Sequence, residues 1–256
     1  MLGFGERAQA AASTVKPRHV LCLLGGEGEL PRLQDAASRA IEQFAAGFSV
    51  DTTYSQGKAD PNMSRSFGVC WDRVAPNAWT DADEAAVANH KSVLYVLGPP
   101  MSADNAVMCS AGALFLVDAV IKAGATAAKG ESAGVAHGLA RWVALAHEAA
   151  AALQSDDNIA LRRACRLAFA KRPLAGATHL ETVGFHLVGL PEVYVAKAYG
   201  SEQEVVALMD EVGDQLVQHG LEAVLADREA QLSYETSYEP DDFKFNPYGI
   251  VTIDRR

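Results

Sequence analysis

The chain has 256 residues, of which 49% are hydrophobic and 21% are charged, and its formal net charge is −10. This is the composition of a folded globular protein, and the length allows one large domain or two of ordinary size. The acidic balance argues against nucleic acid and against an anionic membrane surface as partners, because both carry negative charge.

The negative charge is concentrated near the C-terminus. Residues 201–256 hold 13 acidic and 4 basic groups, a net charge of −9, so the first 200 residues contribute only −1. A basic stretch at residues 162–172 contains no acid. Its basic residues are Arg162, Arg163, Arg166, Lys171 and Arg172. We therefore expect one acidic and one basic surface.

Cysteine usage and the lack of a long apolar segment indicate the compartment. The four cysteines are far apart and form no CxxC pair, which favours buried free thiols over a zinc site or a disulfide scaffold. Residues 1–19 lack the apolar core of a secretory signal, and Asp104 and Asp118 interrupt the most apolar region. We expect a cytoplasmic protein without a membrane span.

Apolar patterning predicts six elements in the first hundred residues. Residues 20–24 and 93–97 are unbroken apolar runs, as in strands that are buried on both faces. Residues 29–45 carry apolar side chains at helical spacing. The other predicted elements are strands at 48–54 and 67–73 and a helix that starts at Thr80, with Asp83 three residues later, and ends at Asn89.

The rest of the chain alternates helices with short strands. A nearly uncharged helix at 103–123 is predicted to be buried on most sides. Ser201 and Glu204 form a capping box for a helix that Gly220 closes. The other predicted elements are strands at 125–128, 180–188 and 193–197, helices from Ser132 to about 153 and from Asp156 or Asp157 to 171, and a last strand at 221–225 or 249–253.

This element order predicts an α+β fold. It is made of two ferredoxin-like βαββαβ halves, with helices packed on mainly antiparallel sheet. Residues 1–98 are predicted to form the first half after a flexible N-terminus. Residues 99–256 form the second half, with the long buried helix and an acidic aromatic C-terminal segment. One continuous domain is the alternative.

No cofactor or metal site is expected. The glycine-rich turn at residues 25–29 lies where phosphate loops occur, but it lacks GxGxxG and GxxxxGK[ST] spacing. Its carboxylates, Glu27 and Glu29, would also repel a phosphate. The histidines show no metal-ligand spacing, since only His179 and Glu181 share a strand face.

A second polar turn joins a predicted strand to a predicted helix near residue 130. Its candidate catalytic residues are Glu131, Ser132, His137 and Arg141. A serine nucleophile needs a base within hydrogen-bond reach and a group that orients the base, and the spacing shows neither. The pattern is not GxSxG, and Ser132 as a helix N-cap explains it equally. We expect no catalytic residue, with a hydrolase-like pocket at residues 129–141 as the alternative.

The segment at residues 233–248 combines acids with aromatics, a composition typical of binding surfaces. The predicted partner-binding residues are Tyr234, Glu235, Tyr238, Glu239, Asp241, Asp242 and Phe243. The alternative is that the aromatics pack this segment onto its own domain, with its carboxylates facing the basic stretch.

Three segments, residues 92–97, 111–147 and 178–193, resemble a bacterial family catalogued as domain of unknown function 4261. The similarity covers the chain from about residue 91 onward. The resemblance implies no activity and no site residue.

The sequence thus leads to three functional hypotheses. The first is a cytoplasmic accessory module that binds a protein partner, including an acidic inhibitor of the immunity type for a basic protein. The second is the hydrolase-like enzyme with its pocket at residues 129–141. The third is a structural homodimer joined through exposed sheet edges.

Overall fold

The computed structural model describes residues 16–76, 78–235 and 246–254. In these ranges the chain folds into two five-stranded, mostly antiparallel sheets with helices packed against them. The predicted α+β fold class is confirmed.

The first sheet and its helices occupy the chain up to His137. The elements are β1 Val20–Gly25, α1 Leu30–Phe44, β2 Ser49–Gln56, α2 Met63–Cys70, α3 Asp81–Asn89, β3 Ser92–Leu97, α4 Ala106–Lys122, β4 Ala127–Gly130 and β5 Val135–His137.

The second sheet and its helices follow. The elements are α5 Leu139–Gln154, α6 Asn158–Phe169, β6 Lys171–Ala175, β7 His179–Val183, β8 Glu192–Ala196, α7 Glu202–His219, α8 Leu221–Asp227, β9 Gln231–Ser233 and β10 Ile250–Ile253. Short 3₁₀ turns lie at Phe185–Val188 and Lys197–Tyr199.

The first sheet has the strand order β2-β3-β1-β4-β5, and every pair is antiparallel. Its first four strands, with α1 and α4 as crossover helices, have the ferredoxin-like arrangement. The helices α2 and α3 are inserted between β2 and β3, and β5 adds an edge. Since β4 and β5 come after residue 98, this sheet draws strands from both sides of the predicted domain boundary.

The second sheet has a different strand order, β6-β7-β8-β10-β9. Strands β6, β7 and β8 form an antiparallel meander, and β10 pairs with β8 in parallel. Helix α7 packs on the meander and on α6.

Strand β1 is covered on both faces, as its apolar run predicts. Leu21 and Leu23 enter the main core, which extends through α4, α5 and α6 to the second sheet. Cys22 and Leu24 enter a smaller cluster beneath α2 and α3. Helix α4 is buried over most of its length, which confirms that prediction as well.

Four local predictions are wrong. The strand expected at residues 180–188 ends at Val183, because Gly184 adopts a left-handed conformation and residues 185–188 form a 3₁₀ turn. Residues 67–73 are not a strand, because Met63, Phe67 and Cys70 recur at helical spacing and bury one face of α2. The helix expected after Ser132 starts at Leu139, since the chain first returns as β5. Residues 221–225 belong to α8, and the alternative last strand at 249–253 is the one that forms.

Both predicted capping pairs are present. Thr80 with Asp83 and Ser201 with Glu204 form capping boxes at the starts of α3 and α7. In the part of the chain that the structure describes, no helix is both long and apolar enough to cross a bilayer.

Candidate functional site

Ser132 connects the β4–β5 turn to the chain that enters β1. Its Oγ accepts a hydrogen bond from the Val20 backbone N–H at 2.9 Å and donates one to the Arg18 carbonyl at 2.7 Å. Ser132 is therefore not the N-cap of α5, as the sequence suggested. Because its hydroxyl proton is held by a carbonyl, no neighbouring base activates it.

His137 lies at the end of β5 in the main core. Its Nε2 is 3.1 Å from the Ala168 carbonyl and its Nδ1 is 3.3 Å from Asp72 Oδ2. Burial opposes ionisation of Asp72, but His137, the Val74 N–H and the charge of Arg172 together lower the pKa of this carboxyl. The pair is well suited to anchoring the chain after α2.

The four candidate catalytic side chains do not share one site. Lys129 and Glu131 reach the face of the first sheet beneath α2, whereas His137, opposite Ala128, reaches the main core. Arg141 lies on α5, with its Nη1 3.7 Å from Glu148 Oε1. Each candidate therefore contacts a different part of the fold.

A polar network that we call the lysine cluster lies on one face of the first sheet, across the neighbouring strands β3, β1 and β4. It consists of Cys22, Ser66, Tyr95, Lys129 and Glu131, and the sheet register places Tyr95 and Lys129 on either side of Cys22. The Lys129 side chain has no exposed surface, and its Nζ lies 2.9 Å from Glu131 Oε1 and also bonds Ser66 Oγ. Tyr95 donates to the same carboxylate oxygen at 3.3 Å.

The thiol and the phenol of the lysine cluster are not nucleophiles at neutral pH. Burial raises the pKa of Cys22 to about 12, although the charge of Lys129 opposes this. Burial also raises the pKa of Tyr95 above its ordinary value. Because the thiol and the phenol keep their protons, the cluster acts as a charge-balanced support beneath α2.

His19 and Ser110 form a buried pair that resembles a catalytic dyad. Ser110 Oγ donates to the Leu187 carbonyl at 2.6 Å, so its contact with His19 Nε2 at 2.7 Å requires the imidazole to donate. Burial, with a smaller contribution from the charge of His186, lowers the pKa of His19 to about 3. His19 is therefore a neutral donor, and it does not take a proton from Ser110.

Glu192 is a buried acceptor where the second sheet meets the core. Its carboxylate accepts from Thr182 Oγ1 at 2.6 Å, His186 Nδ1 at 2.9 Å and the Gly184 N–H at 3.0 Å. These donors lower the pKa of Glu192 although its burial acts in the opposite direction. Because the Glu192 carboxylate already accepts these hydrogen bonds, it holds the surrounding backbone in place and has little capacity left to bind a substrate.

The basic stretch is paired with acids of the same chain. Arg166, whose side chain is 2% exposed, contacts Asp214 Oδ1 at 3.1 Å, and Arg172 contacts Asp210 Oδ1 at 2.7 Å. Arg163 also pairs with Asp214. Helix α7 thus neutralises much of this basic charge.

The predicted C-terminal binding segment falls mostly outside the described residues. Of its members, Tyr234 and Glu235 are described and follow directly after β9. Tyr238, Glu239, Asp241, Asp242 and Phe243 lie outside the described residues.

A polar cleft of about 650 Å³ borders β9, and we call it the acidic cleft. It is lined by Tyr199, Asp227, Arg228, Glu229, Gln231, Ile253 and Asp254. Among the described residues, the arginine that lines the cleft is Arg228, and its charge is compensated because its Nη2 lies 2.6 Å from Glu211 Oε1. Asp254 faces His179 at 3.0 Å, whereas Asp227 and Glu229 form no ion pair among the described residues.

No family model, no curated protein and no solved structure matches the chain. The resemblance to the domain of unknown function 4261 family stays a prediction from the sequence. Among the residues that the structure describes, no group of three or more His, Cys, Asp or Glu side chains is arranged to hold a metal ion.

Sequence reasoning missed the lysine cluster and the Glu192 network for different reasons. Glu192 stands between apolar residues at the start of a predicted strand, and an isolated acid in such a run signals a buried, hydrogen-bonded group. Cys22, Tyr95 and Lys129 are brought together only by the strand register, which has no local sequence signal.

Proposed function

We propose that the protein is an accessory module that binds a basic segment of a protein partner in the acidic cleft. The observation that carries the proposal is the pair of carboxylates, Asp227 and Glu229, beside an arginine whose charge Glu211 already compensates. Carboxylates in a cleft attract cationic side chains and accelerate their encounter.

The position of β9 supports the same site. Among the described residues this strand lies at the edge of the second sheet, and Gln231 at its start lines the cleft. The predicted binding segment begins immediately after β9, at Tyr234 and Glu235. Glu235, the described acid of this segment, follows directly after the strand that borders the cleft.

The contacts of the candidate catalytic residues support binding over hydrolysis. Ser132 donates to a backbone carbonyl and His137 lies in the main core on the face opposite to Glu131. A hydrolase requires these groups around one reacting atom.

Two of the sheet edges, β2 and β6, carry features that give less support to the homodimer hypothesis. On β2, the Asp51 carboxylate accepts hydrogen bonds from the N–H groups of Thr53 and Tyr54. The pairing of β2 with β3 is irregular in the same place, since its register shifts between Asp51 and Gln56. On β6, Lys171 and Pro173 interrupt the edge. Bulges, lysine and proline are features that limit edge-to-edge pairing.

The cytoplasmic location is part of the proposal. All four cysteines are free thiols, and three of them are buried, which suits a reducing compartment.

The test is the binding of a fluorescein-labelled peptide of alternating lysine and glycine, followed by fluorescence anisotropy at low salt. The variant D227K/E229K reverses the charge at both positions and is expected to weaken binding by about tenfold. The matched control, D35K/E42K, makes the same change of net charge on exposed positions of α1. The control should bind nearly as well as the wild type.

Equal losses in both variants would mean that the peptide responds only to net charge, and the proposal would then be wrong. A triple variant of Glu239, Asp241 and Asp242 to lysine tests the predicted segment separately. We expect a further loss of affinity when it is combined with D227K/E229K.

A further inference from the structure

A groove of about 420 Å³ lies between α2 and α3, and it shares no lining residue with the acidic cleft. We call it the tryptophan groove. Phe67, Trp71, Trp79 and Val87 line it, together with Asp81 and Glu84 from the first turn of α3. The volume falls in the range of small-ligand sites.

Among the described residues, three aromatic rings line the groove, and because Phe67 is only 1% exposed, Trp71 and Trp79 are the rings that a ligand can reach. Phe67 and Trp79 lie 6.1 Å apart, with 32° between their ring planes. Cations of the protein already use two of these rings: Arg73 Cζ lies 5.4 Å from the Trp71 ring and Lys129 Nζ lies 4.9 Å from the Phe67 ring. Indole faces are the strongest aromatic partners of ammonium and guanidinium groups.

The charge of the groove is also complementary to a cation. Asp83 is engaged in the capping box with Thr80, whereas Asp81 and Glu84 are exposed and form no ion pair among the described residues. The N-terminus of α3 carries only about half a positive charge. The two negative charges of Asp81 and Glu84 exceed this half charge together with the single charge of Arg73 beside Trp71, so the groove is negative.

We propose that the tryptophan groove binds a small organic cation, an ammonium compound that carries apolar substituents. The indole rings of Trp71 and Trp79 contact the apolar groups that carry the positive charge, and the two carboxylates supply the counter-charge. This ligand class follows from the groove alone and is independent of the function proposed for the acidic cleft.

The test uses choline and its neutral isostere 3,3-dimethylbutan-1-ol as probes in ligand-observed NMR. Choline is expected to show a saturable upfield shift of its N-methyl signal, because the protons lie over aromatic rings. The alcohol has the same shape without the charge and is expected to bind at least several-fold more weakly.

Four variants separate the contributions. D81N/E84Q removes both charges at exposed positions and should weaken choline binding by about five- to tenfold, whereas D35N/E42Q on α1 should leave it unchanged. W79L should weaken binding by roughly 2- to 30-fold. R73A removes a competing cation beside Trp71 and should strengthen binding by about two- to fivefold.

Three results would overturn the proposal. These are the absence of a saturable choline shift, equal binding of the neutral alcohol, and unchanged affinity of D81N/E84Q. Because D81N/E84Q alters only exposed polar groups, this variant stays informative even if W79L fails to fold. N-acetyl-arginine amide is a further probe that represents an arginine residue of a peptide. If it bound and choline did not, the proposed ligand class would also be contradicted.

Discussion

His186 donates through Nδ1 to Glu192 Oε1 at 2.9 Å, and both side chains are almost excluded from solvent. The same carboxylate holds Thr182 and the Gly184 N–H. We expect Glu192→Gln to lower the free energy of unfolding by about 3 kcal/mol, because the new NH₂ group would face hydrogen-bond donors and leave buried donors without an acceptor. Urea denaturation measures this change.

The control for Glu192→Gln is Glu42→Gln, an exposed position on α1. Its effect should stay within about 0.5 kcal/mol. Similar values for the two variants would show that the Glu192 network contributes nothing specific to stability.

His19 makes the protein sensitive to acid. Burial lowers the pKa of His19 from its ordinary value of 6.5 to about 3, so below pH 6.5 the unfolded chain binds a proton at this histidine that the folded chain does not bind. Stability from this group is complete above pH 6.5 and is lost as the pH falls toward 3. Between pH 6.5 and 5 we expect a loss of about 1.5 kcal/mol in urea denaturation.

The variant His19→Phe tests the origin of this loss. It keeps an aromatic ring beside Phe48 and Phe169 but cannot take up a proton. The slope of stability against pH between 6.5 and 5 should become flatter than in the wild type. An unchanged slope would assign the acid sensitivity to other groups.

Gly213 on α7 leaves room for the Arg166 guanidinium, which a Cβ at this position would meet. Gly213→Ala gains about 1 kcal/mol of helix propensity. It also displaces a nearly buried arginine from Asp214, which costs about 3 kcal/mol or more. We therefore expect a net loss of about 2 kcal/mol, measured by urea denaturation.

Gly68 on α2 provides the matched comparison. A Cβ there meets no atom within 4 Å, so Gly68→Ala should stabilise the protein by about 0.5 to 1 kcal/mol. If the two alanine variants changed stability in the same direction, the packing of Arg166 against Gly213 would not be the cause.

The thiols are expected to react slowly. Burial raises the pKa of Cys22 and of Cys165 to about 12, and it raises that of the half-buried Cys109 as well. Because the thiolate is the reactive form, iodoacetamide at pH 8 should modify Cys109 first and Cys22 only after unfolding. Peptide mapping by mass spectrometry gives the order, with guanidinium-unfolded protein as the control.

Much of the fold could be predicted where the signal is local. The capping pairs at Thr80 and Ser201 and the apolar run of β1 lie within a few residues of sequence, and the structure contains them. The error at residues 67–73 arose in a short segment, where strand and helix patterns are hard to separate. Met63, four residues before Phe67, is what distinguishes them.

The sites were less predictable because they depend on contacts between distant segments. The lysine cluster joins Cys22 to Lys129 across the sheet register, and the basic stretch meets Asp210 and Asp214 through the packing of α6 on α7. The acidity of the C-terminal region is visible in the sequence. Only the folded structure shows that part of this negative charge is neutralised by arginines of the same chain.

The central position of β1 has a consequence for synthesis of the chain. Its two neighbours are β3 and β4, and β4 ends at Gly130. A nascent chain that has emerged only as far as β3 therefore presents one side of β1 as a bare row of backbone donors and acceptors. Such an edge recruits strands from other molecules. Chains that terminate before Ala127 should consequently be recovered as aggregates. In chains that include β4, both edges of β1 are paired and the strand is no longer exposed.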